Sequence, residues 1–316
     1  MLKFLTIPSL LIYKKGDIMM FKGVYSPIIT IFKDNGEIDY ANMELHINHL
    51  VEAGLNGILF FGSLGEFYAI SLEEKKKFIE FAVKLINKRV QVIIGVGGTD
   101  VRDVIELANF AEIAGADAIN IISPYYFGPT EEAAKQYFKT IADAVKLPIM
   151  LYNFADRTGS DLSPAVVSYL AENCPSIVGI KDTIDNISHT RRLCQAVKPI
   201  RPDFSVLSGF DEYYMVNRIS GGDGVLCGLT NVVPEVFVKM HKAYEDNDKV
   251  AAVACAEKIA SLMRIYEVTG LFIVAMKAAV KATGLSISTF TKAPGMDITP
   301  EEYAKVECIL KENGII

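Results

Sequence analysis

A lysine closes an otherwise apolar stretch of the 316-residue sequence, SIVGIKDT at positions 176–183. Lys181 follows Ile180 and so ends a segment suited to a dry interior, where an ammonium group must be solvated, paired or used in chemistry. Burial disfavours the charged form of an amine, and a neutral amine is a nucleophile that forms a Schiff base with a carbonyl group. The alternative is a structural lysine that pairs with Asp182 or extends to the rim of the fold.

Two hydroxyl groups stand where other apolar stretches end. Tyr152 closes PIMLY (148–152), and a phenol beside a Schiff-base lysine can carry protons to and from the reacting groups. Ser63 lies between Gly62 and Gly65, so that its hydroxyl and the open backbone N–H groups form a candidate cradle for a carboxylate. Glycines at strand ends also serve turns alone, and both interpretations of this segment stay open here.

The elements that must position these groups are eight apolar runs of strand length, separated by amphipathic segments of helical period. In the segment 71–88, Ser71 precedes Glu74 by three residues, which predicts a capping box. Strands apolar on both faces predict a parallel sheet covered by helices, and eight of them close an α/β fold, the (β/α)8 TIM barrel. An open doubly wound sheet is the alternative. The predicted strands are residues 23–31, 57–61, 91–96, 117–122, 148–152, 176–181, 204–208 and 224–228.

In a barrel of this kind the functional groups gather at the carboxyl ends of the strands. Lys181, Tyr152 and Ser63 all occupy such ends. So do the segments SPYYFGP (123–129) after the fourth strand and SGFDE (208–212) after the seventh. The sequence therefore predicts one site in which an amine, several hydroxyl groups and several glycines converge.

Strand alternation predicts which side chains of the sixth strand share a face with the lysine. Successive side chains of a strand point to opposite faces. If Lys181 points into the barrel, Gly179 and Ile177 do so as well, whereas Val178 and Ile180 face the helices. Gly179 would then leave room for the long lysine side chain.

The pattern changes beyond the eighth strand, where only helical segments follow. We therefore divide the chain into an N-terminal extension (1–20), a TIM barrel catalytic domain (21–245) and a C-terminal helical subdomain (246–316). The extension has a short apolar part interrupted by Pro8 and no small-residue cleavage site, so we expect neither a signal peptide nor a membrane span. The protein is expected to be cytoplasmic.

The amino-acid composition of the chain indicates which kind of partner the protein binds. The chain is 51% hydrophobic and 22% charged, with a net charge of −6 and no basic tract. We therefore expect small-molecule partners, and no binding to nucleic acid or to membranes.

The five cysteines form no C-x-x-C pair, which is typical of a reducing compartment. His46 and His49 lack a metal-binding frame, so helix packing or a surface role is expected of them and no metal site is predicted.

Taken in order, the motifs GSLGE, PYY, YN…TG and GIKDT resemble the dihydrodipicolinate synthase and N-acetylneuraminate lyase family of pyruvate-dependent class I aldolases and lyases. The likeness runs from about Gly23 to the C-terminal helices. It implies a (β/α)8 barrel with a C-terminal helical region, and a homotetramer built as a dimer of dimers. It also implies that no cofactor is needed, because the substrate itself forms the Schiff base with the lysine.

The resemblance assigns roles to individual residues. Lys181 corresponds to the Schiff-base lysine and Tyr152 to the general acid/base. Ser63 and the Leu64 amide match the positions that hold the pyruvate carboxylate, and Tyr126 matches a tyrosine donated across the dimer interface.

Further positions match groups that contact the substrates of this family. Leu226 falls where a backbone group lies near the pyruvyl unit. Arg157 matches the arginine that binds the carboxylate of the aldehyde substrate in the synthases. Gly209 and Asp211, both in SGFDE, are further substrate-binding candidates.

Within the family, YNFADRTGSDLSP and GIKDTIDNISHTRR are most similar to the 2-keto-3-deoxy sugar acid aldolases, which split acids such as 2-keto-3-deoxygluconate into pyruvate and an aldehyde. The expected function is therefore a lyase of this kind. The alternative is a dihydrodipicolinate synthase, which condenses pyruvate with aspartate semialdehyde. Arg157 favours it, whereas Leu64, in place of a second hydroxyl residue, and YNF weigh against it. A non-catalytic keto-acid sensor would need no intact lysine and tyrosine, and an NAD-dependent oxidoreductase would need a glycine fingerprint that the sequence lacks.

Overall fold

A closed barrel of eight parallel strands forms the centre of the protein, each strand paired with its neighbours in chain order and β8 paired with β1. This architecture comes from a computed structural model that describes residues 21–316, so the predicted extension 1–20 lies outside the described residues. The predicted (β/α)8 TIM barrel is confirmed, and the open sheet is excluded. The strands are β1 Gly23–Pro27, β2 Gly57–Phe60, β3 Gln91–Gly95, β4 Ala118–Ile122, β5 Ile149–Asn153, β6 Ile177–Asp182, β7 Ser205–Ser208 and β8 Gly224–Leu226.

Helices cover the outside of the barrel and continue beyond it. α2 begins at the capping box predicted from Ser71 and Glu74. None of the helices between residues 21 and 316 is long and apolar enough to cross a membrane. The helices are α1 Tyr40–Glu52, α2 Leu72–Ile86, α3 Val101–Ala114, α4 Glu131–Ala144, α5 Ala155–Thr158, α6 Pro164–Asn173, α7 Ile187–Val197, α8 Tyr214–Ile219, α9 Pro234–Glu245, α10 Lys249–Leu262, α11 Phe272–Ala282 and α12 Pro300–Glu312.

Two strands are shorter than the sequence predicts by two residues or more. β1 stops at Pro27 rather than at residue 31, and proline has no N–H group to continue a ladder. β8 stops at Leu226 rather than at residue 228, because the chain then coils into a 3-10 turn, Gly228–Asn231. Both changes leave short irregular segments at the rim where the candidate site was predicted.

The apolar core has two layers. The larger layer lies between the strands and the helices. The smaller layer fills the inside of the barrel, below the carboxyl ends of the strands. Its members are Phe21, Tyr25, Leu59, Ile93, Ala118, Met150, Val178, Leu207 and Leu226.

The alternation predicted for β6 is wrong at two positions. Val178 belongs to the layer inside the barrel, and Ile177 belongs to the layer under the helices. The cause is a β-bulge: the pairing on β6 steps from Ile177 to Gly179 while β5 advances by one residue, so Val178 is an extra residue. Ile180 packs under the helices, as predicted.

The C-terminal helices pack against the barrel. Beyond residue 245, where the helical region was predicted to begin, the chain forms α10, α11 and α12. α10 packs against α9, and α11 packs against the 3-10 turn Gly228–Asn231 after β8. The helical region therefore contributes side chains to the carboxyl end of the barrel.

Candidate active site

A cavity opens at the carboxyl ends of the strands, where the candidate residues were expected. Its empty volume, including the open mouth, is about 910 Å³. Most of the site residues named from the sequence line it, namely Ser63, Leu64, Tyr152, Arg157, Lys181, Gly209 and Asp211. The lining residues that the sequence did not single out for the site include Thr183, Gly228, Met263, Tyr266 and Phe272.

Lys181 presents a buried amine to this cavity. The residue is 4% exposed, and its Nζ lies 4.3 Å from the centroid of the Tyr152 ring. The Tyr152 hydroxyl lies 3.2 Å from Ser63 Oγ, and the two are hydrogen-bonded. No ion pair to Lys181 occurs within residues 21–316, and Asp182 bonds other groups on the outer face. The structural alternative, a lysine paired with Asp182, is therefore not what the fold adopts.

The barrel register and a glycine position this amine. Tyr152 on β5 is paired directly with Lys181 on β6, so the phenol ring and the amine lie side by side. Gly209, which follows β7, packs against the lysine stem. A Cβ atom there would lie 3.2 Å from Lys181 Cε and would overlap the Thr183 side chain. Because glycine has no side chain, it leaves free the space through which the Lys181 side chain reaches the cavity.

Ser63 and Leu64 lie on a tight loop after β2. Phe61 and Glu66, on either side of them, have left-handed backbone conformations with φ values of 55° and 53°. Non-glycine residues adopt that region at a cost. The loop is held from within by a bond from Glu66 N to Ser63 O at 3.1 Å. The Thr30 hydroxyl holds it from outside by donating to Gly65 O at 2.8 Å.

Asp211 is a buried acid on the cavity wall. One carboxylate oxygen accepts from Leu229 N at 2.7 Å, and the other accepts from the Tyr266 hydroxyl at 2.8 Å. Burial raises the pKa of Asp211, although these hydrogen bonds oppose the rise. Tyr266 was not predicted. It lies in the 3-10 turn Met263–Glu267 of the C-terminal region, and no local motif marks it.

Arg157 brings a positive charge to the mouth of the cavity. It lies in α5, and its Cζ is 5.7 Å from the ring centroids of both Phe154 and Phe272. Phe272, at the start of α11, is a second contribution of the C-terminal region that the sequence analysis missed. A neighbouring cavity shares Ser63, Arg157 and Phe272 with the first and is lined mainly by aromatic and aliphatic side chains.

Two predicted site residues lie apart from the cavity. Tyr126 is 87% exposed and has a φ of 78°. Its neighbour Phe127 is 81% exposed, and the two ring centroids are 4.8 Å apart. Leu226 is fully buried in the layer inside the barrel, and Gly228 lines the cavity in its vicinity instead. Within one chain, therefore, neither Tyr126 nor Leu226 lines the cavity.

A buried polar cluster lies on the outer face of β6, behind the amine. His189 on α7 donates from Nδ1 to Asp182 at 3.0 Å, and its Nε2 is 3.4 Å from Asp161. Asn153, next to Tyr152, donates to both Asp161 and Asp182. Although burial alone lowers the pKa of His189, the two carboxylates outweigh it and raise that pKa to about 9.

His46 has a packing role, whereas the His49 side chain is half exposed. His46 is buried, and its Nε2 lies 3.0 Å from Asn231 Oδ1 in the 3-10 turn after β8. This contact ties α1 to the barrel rim. Among residues 21–316, no group of three or more His, Cys, Asp and Glu side chains is arranged to hold a metal ion.

Comparison with known proteins relates this geometry to a family. The model of the "Dihydrodipicolinate synthetase family" matches residues 20–313. The chain is 37% identical over 293 residues to the Escherichia coli (strain K12) protein named "Putative 2-dehydro-3-deoxy-D-gluconate aldolase YagE", covering 93% of this chain and 97% of that protein. It is 38% identical over 301 residues to the 4-hydroxy-tetrahydrodipicolinate synthase of Methanocaldococcus jannaschii, covering 94% of this chain and all of that protein.

A solved structure is similar over the same length. The crystal structure of YagE from E. coli K12 in complex with pyruvate superposes with a TM-score of 0.92 at 36% identity, covering 94% of this chain and 100% of that one. Relatives named as aldolase and as synthase are thus nearly equal in sequence identity. The likeness includes the barrel and most of the C-terminal helices.

Proposed function

The chain belongs to the dihydrodipicolinate synthetase family, and from that premise we propose that it is a class I aldolase that cleaves a 2-keto-3-deoxy sugar acid to pyruvate and an aldehyde. The observation that carries the proposal is the buried Lys181 amine, which has no ion-pair partner among the described residues and lies 4.3 Å from the Tyr152 ring. A lysine amine that pairs with no carboxylate is free to add to a carbonyl group.

The keto acid would bond covalently to Lys181. The neutral amine adds to the C2 carbonyl group, and the carbinolamine hydroxyl takes a proton from Tyr152 and leaves as water, giving an iminium ion. The Tyr152 phenolate then accepts the proton of the C4 hydroxyl. The C3–C4 bond breaks, its electron pair forms the enamine, and C4 leaves as the aldehyde carbon.

The enamine returns the enzyme to its starting state. Tyr152 gives its proton to C3 of the enamine, which restores an iminium ion. Water then adds to this iminium ion, the proton set free by that hydrolysis returns to the Tyr152 phenolate, and pyruvate and the free Lys181 amine are released. The hydrogen bond between Tyr152 and Ser63, at 3.2 Å, keeps the phenol oriented through these proton transfers. The substrate itself supplies the electrophile, so the proposal needs no cofactor.

The substrate carboxylate would bind at the loop after β2. The Ser63 hydroxyl and the Leu64 amide are the proposed donors, and both residues line the cavity. Backbone N–H groups and a hydroxyl in a tight turn form a suitable anion site. Gly209 and Asp211 also line the cavity, where Asp211 would contact the hydroxyl groups of the substrate.

A 4-hydroxy-tetrahydrodipicolinate synthase is the second candidate. The observation in its favour is Arg157, whose charge lies at the mouth of the cavity between two aromatic rings. A guanidinium group there would bind the carboxylate of aspartate semialdehyde. Leu64, which offers no side-chain hydroxyl to the loop, favours the aldolase.

The substrate experiment compares both reactions with one preparation of the enzyme. We expect kcat/KM for pyruvate release from 2-keto-3-deoxygluconate to exceed that for condensation of pyruvate with aspartate semialdehyde by about 100-fold or more, a discrimination that requires specific polar contacts. The opposite ratio would establish the synthase. Turnover of neither substrate by a protein that binds keto acids would support the sensor.

A further inference from the structure

A second lysine is buried in the protein, far from the first along the chain. Lys277 lies in the middle of α11, and its side chain has no exposed surface. Its Nζ donates to Glu66 Oε1, and the Glu66 side chain is also fully buried. The amine lies 4.6 Å from the centroid of the Phe32 ring. This ion pair joins the C-terminal helical region to the loop after β2.

Both carboxylate oxygens of Glu66 and two of the three N–H groups of Lys277 are hydrogen-bonded. The other Glu66 oxygen accepts from Lys292 N at 2.8 Å, and Lys277 Nζ also donates to Phe290 O at 2.7 Å. Burial raises the pKa of Glu66 and lowers the pKa of Lys277. Each charge is therefore balanced by the other, and removal of one leaves the other buried without its ion-pair partner.

The pair holds the end of the loop that carries the proposed carboxylate donors. Glu66 is the last residue of GSLGE, and its backbone is left-handed, as is that of Phe61 at the start. Such conformations persist only where the surroundings over-determine them. The contacts of the Glu66 side chain with Lys277 and with Lys292 N fix this end of the loop. Ser63 is linked to it through the bond from Glu66 N to Ser63 O.

We infer that Lys277 and Glu66 are positioning residues for substrate binding, which hold the Ser63 hydroxyl and the Leu64 amide in the geometry that binds the carboxylate of a keto acid. The inference rests on the proposed function. A buried ion pair contributes little net stability compared with apolar side chains of the same size. Its role here is to select one loop conformation, and the C-terminal helical region thereby becomes part of the substrate site.

The test uses pyruvate as the probe and the full-length protein. Borohydride trapping is measured against pyruvate concentration, which gives a half-saturating concentration and a limiting rate, together with the thermal midpoint of each variant. The variants are Glu66→Gln, Lys277→Met and the uncharged double variant Glu66→Gln/Lys277→Met, which leaves no lone buried charge. The control is Lys198→Met, which breaks the 2.7 Å pair of Lys198 with Asp223, next to the amino end of β8.

We expect the half-saturating pyruvate concentration to rise about tenfold or more in all three pair variants, because small displacements of binding groups have effects of this size. The limiting rate should fall by a smaller factor, through the hydrogen bond of Ser63 to Tyr152. Lys198→Met should change the thermal midpoint alone. A double variant that folds and keeps the wild-type half-saturating concentration would overturn the inference, even if the proposed function holds. If the wild-type protein traps no pyruvate at all, the proposed function fails and the inference fails with it.

Discussion

At the scale of single residues, the proposed chemistry depends on a buried amine and a buried phenol that lie side by side. Lys181 is 4% exposed and Tyr152 is 3% exposed, and the barrel register pairs them directly. Asp182 turns to the outer face and bonds His189. Lys181 therefore has no carboxylate partner among the described residues. A structural lysine would have such a partner, whereas the proposed nucleophile needs none.

Replacement of Tyr152 by phenylalanine tests the role of the hydroxyl group alone. Tyr152→Phe keeps the ring beside the lysine but removes the proton carrier, so pyruvate release from 2-keto-3-deoxygluconate should fall by about 10²- to 10⁴-fold in kcat. Steady-state kinetics measures the loss, with Tyr137→Phe, a tyrosine on α4 outside the site, as the matched control. Wild-type kcat in Tyr152→Phe would rule the tyrosine out as the acid/base.

Residue identities in the site were predictable where a local pattern marked them. Lys181 ends an apolar strand, and Ser63 lies between glycines, so both are visible in the sequence alone. Tyr266 and Phe272 reach the cavity from the C-terminal region, and their neighbours in sequence do not distinguish them from core residues. Contacts over such separations depend on how the helices pack, which no local pattern records.

At the scale of elements, the outer face of β6 is held by a buried charged histidine. His189 joins α7 to Asp182 on β6 and to Asp161 after α5. Asn153 bonds both carboxylates from β5. The same two strands carry Tyr152 and Lys181 on their inner faces, so the cluster helps to fix their register.

The free energy of unfolding should depend on pH through His189. Its folded pKa, about 9, lies above the ordinary value of 6.5. The stabilisation is therefore fully present below about pH 6.5 and is lost as pH rises through about 9. Relative to His189→Gln, the wild type should lose on the order of 2 kcal/mol between these limits, after allowance for solvent screening. Urea unfolding of both proteins at pH 6 and pH 9.5 measures this, and parallel pH dependences would contradict it.

The pattern of apolar runs along the sequence predicted where the strands lie, but it did not predict the bulge in β6. Apolar runs bounded by polar segments located all eight strands, because parallel strands of a barrel are buried on both faces. For the same reason the sequence carries no alternation that could reveal an extra residue. Val178 and Ile177 are both apolar, and only the pairing with β5 shows which of them enters the barrel.

At the scale of the whole molecule, the exposed aromatic pair predicts an assembly. Tyr126 and Phe127 are 87% and 81% exposed and lie on the loop after β4. Large exposed aromatic side chains of this kind often mark contact surfaces. In the homotetramer that the family resemblance implies, Tyr126 of one subunit would complete the hydroxyl cluster of Ser63 and Tyr152 in its partner.

Sedimentation and activity together test this assembly. The wild type should sediment as a tetramer, and Tyr126→Ala should reduce pyruvate release by about tenfold or more through loss of a proton-transfer group. Tyr126→Phe separates the hydroxyl from the ring, because it should lose activity while keeping the assembly. A wild-type protein that sediments as a fully active monomer would contradict the proposal.

The sequence did not show what the C-terminal helices contribute to the site. The helical pattern predicted where they begin, near residue 245. It did not predict that Tyr266, Phe272 and Lys277 reach the carboxyl end of the barrel. A buried lysine within an apolar helix has no visible partner until Glu66, on a loop after β2, is placed beside it.

Covalent trapping of pyruvate tests the central claim most directly. The protein is incubated with pyruvate and borohydride, and intact mass and peptide mapping locate any adduct. We predict one pyruvyl adduct on Lys181 in the wild type, none in Lys181→Ala, and an unchanged adduct in Lys75→Ala, which removes another largely buried lysine. A wild-type protein without an adduct, or an adduct that persists in Lys181→Ala, would contradict the account.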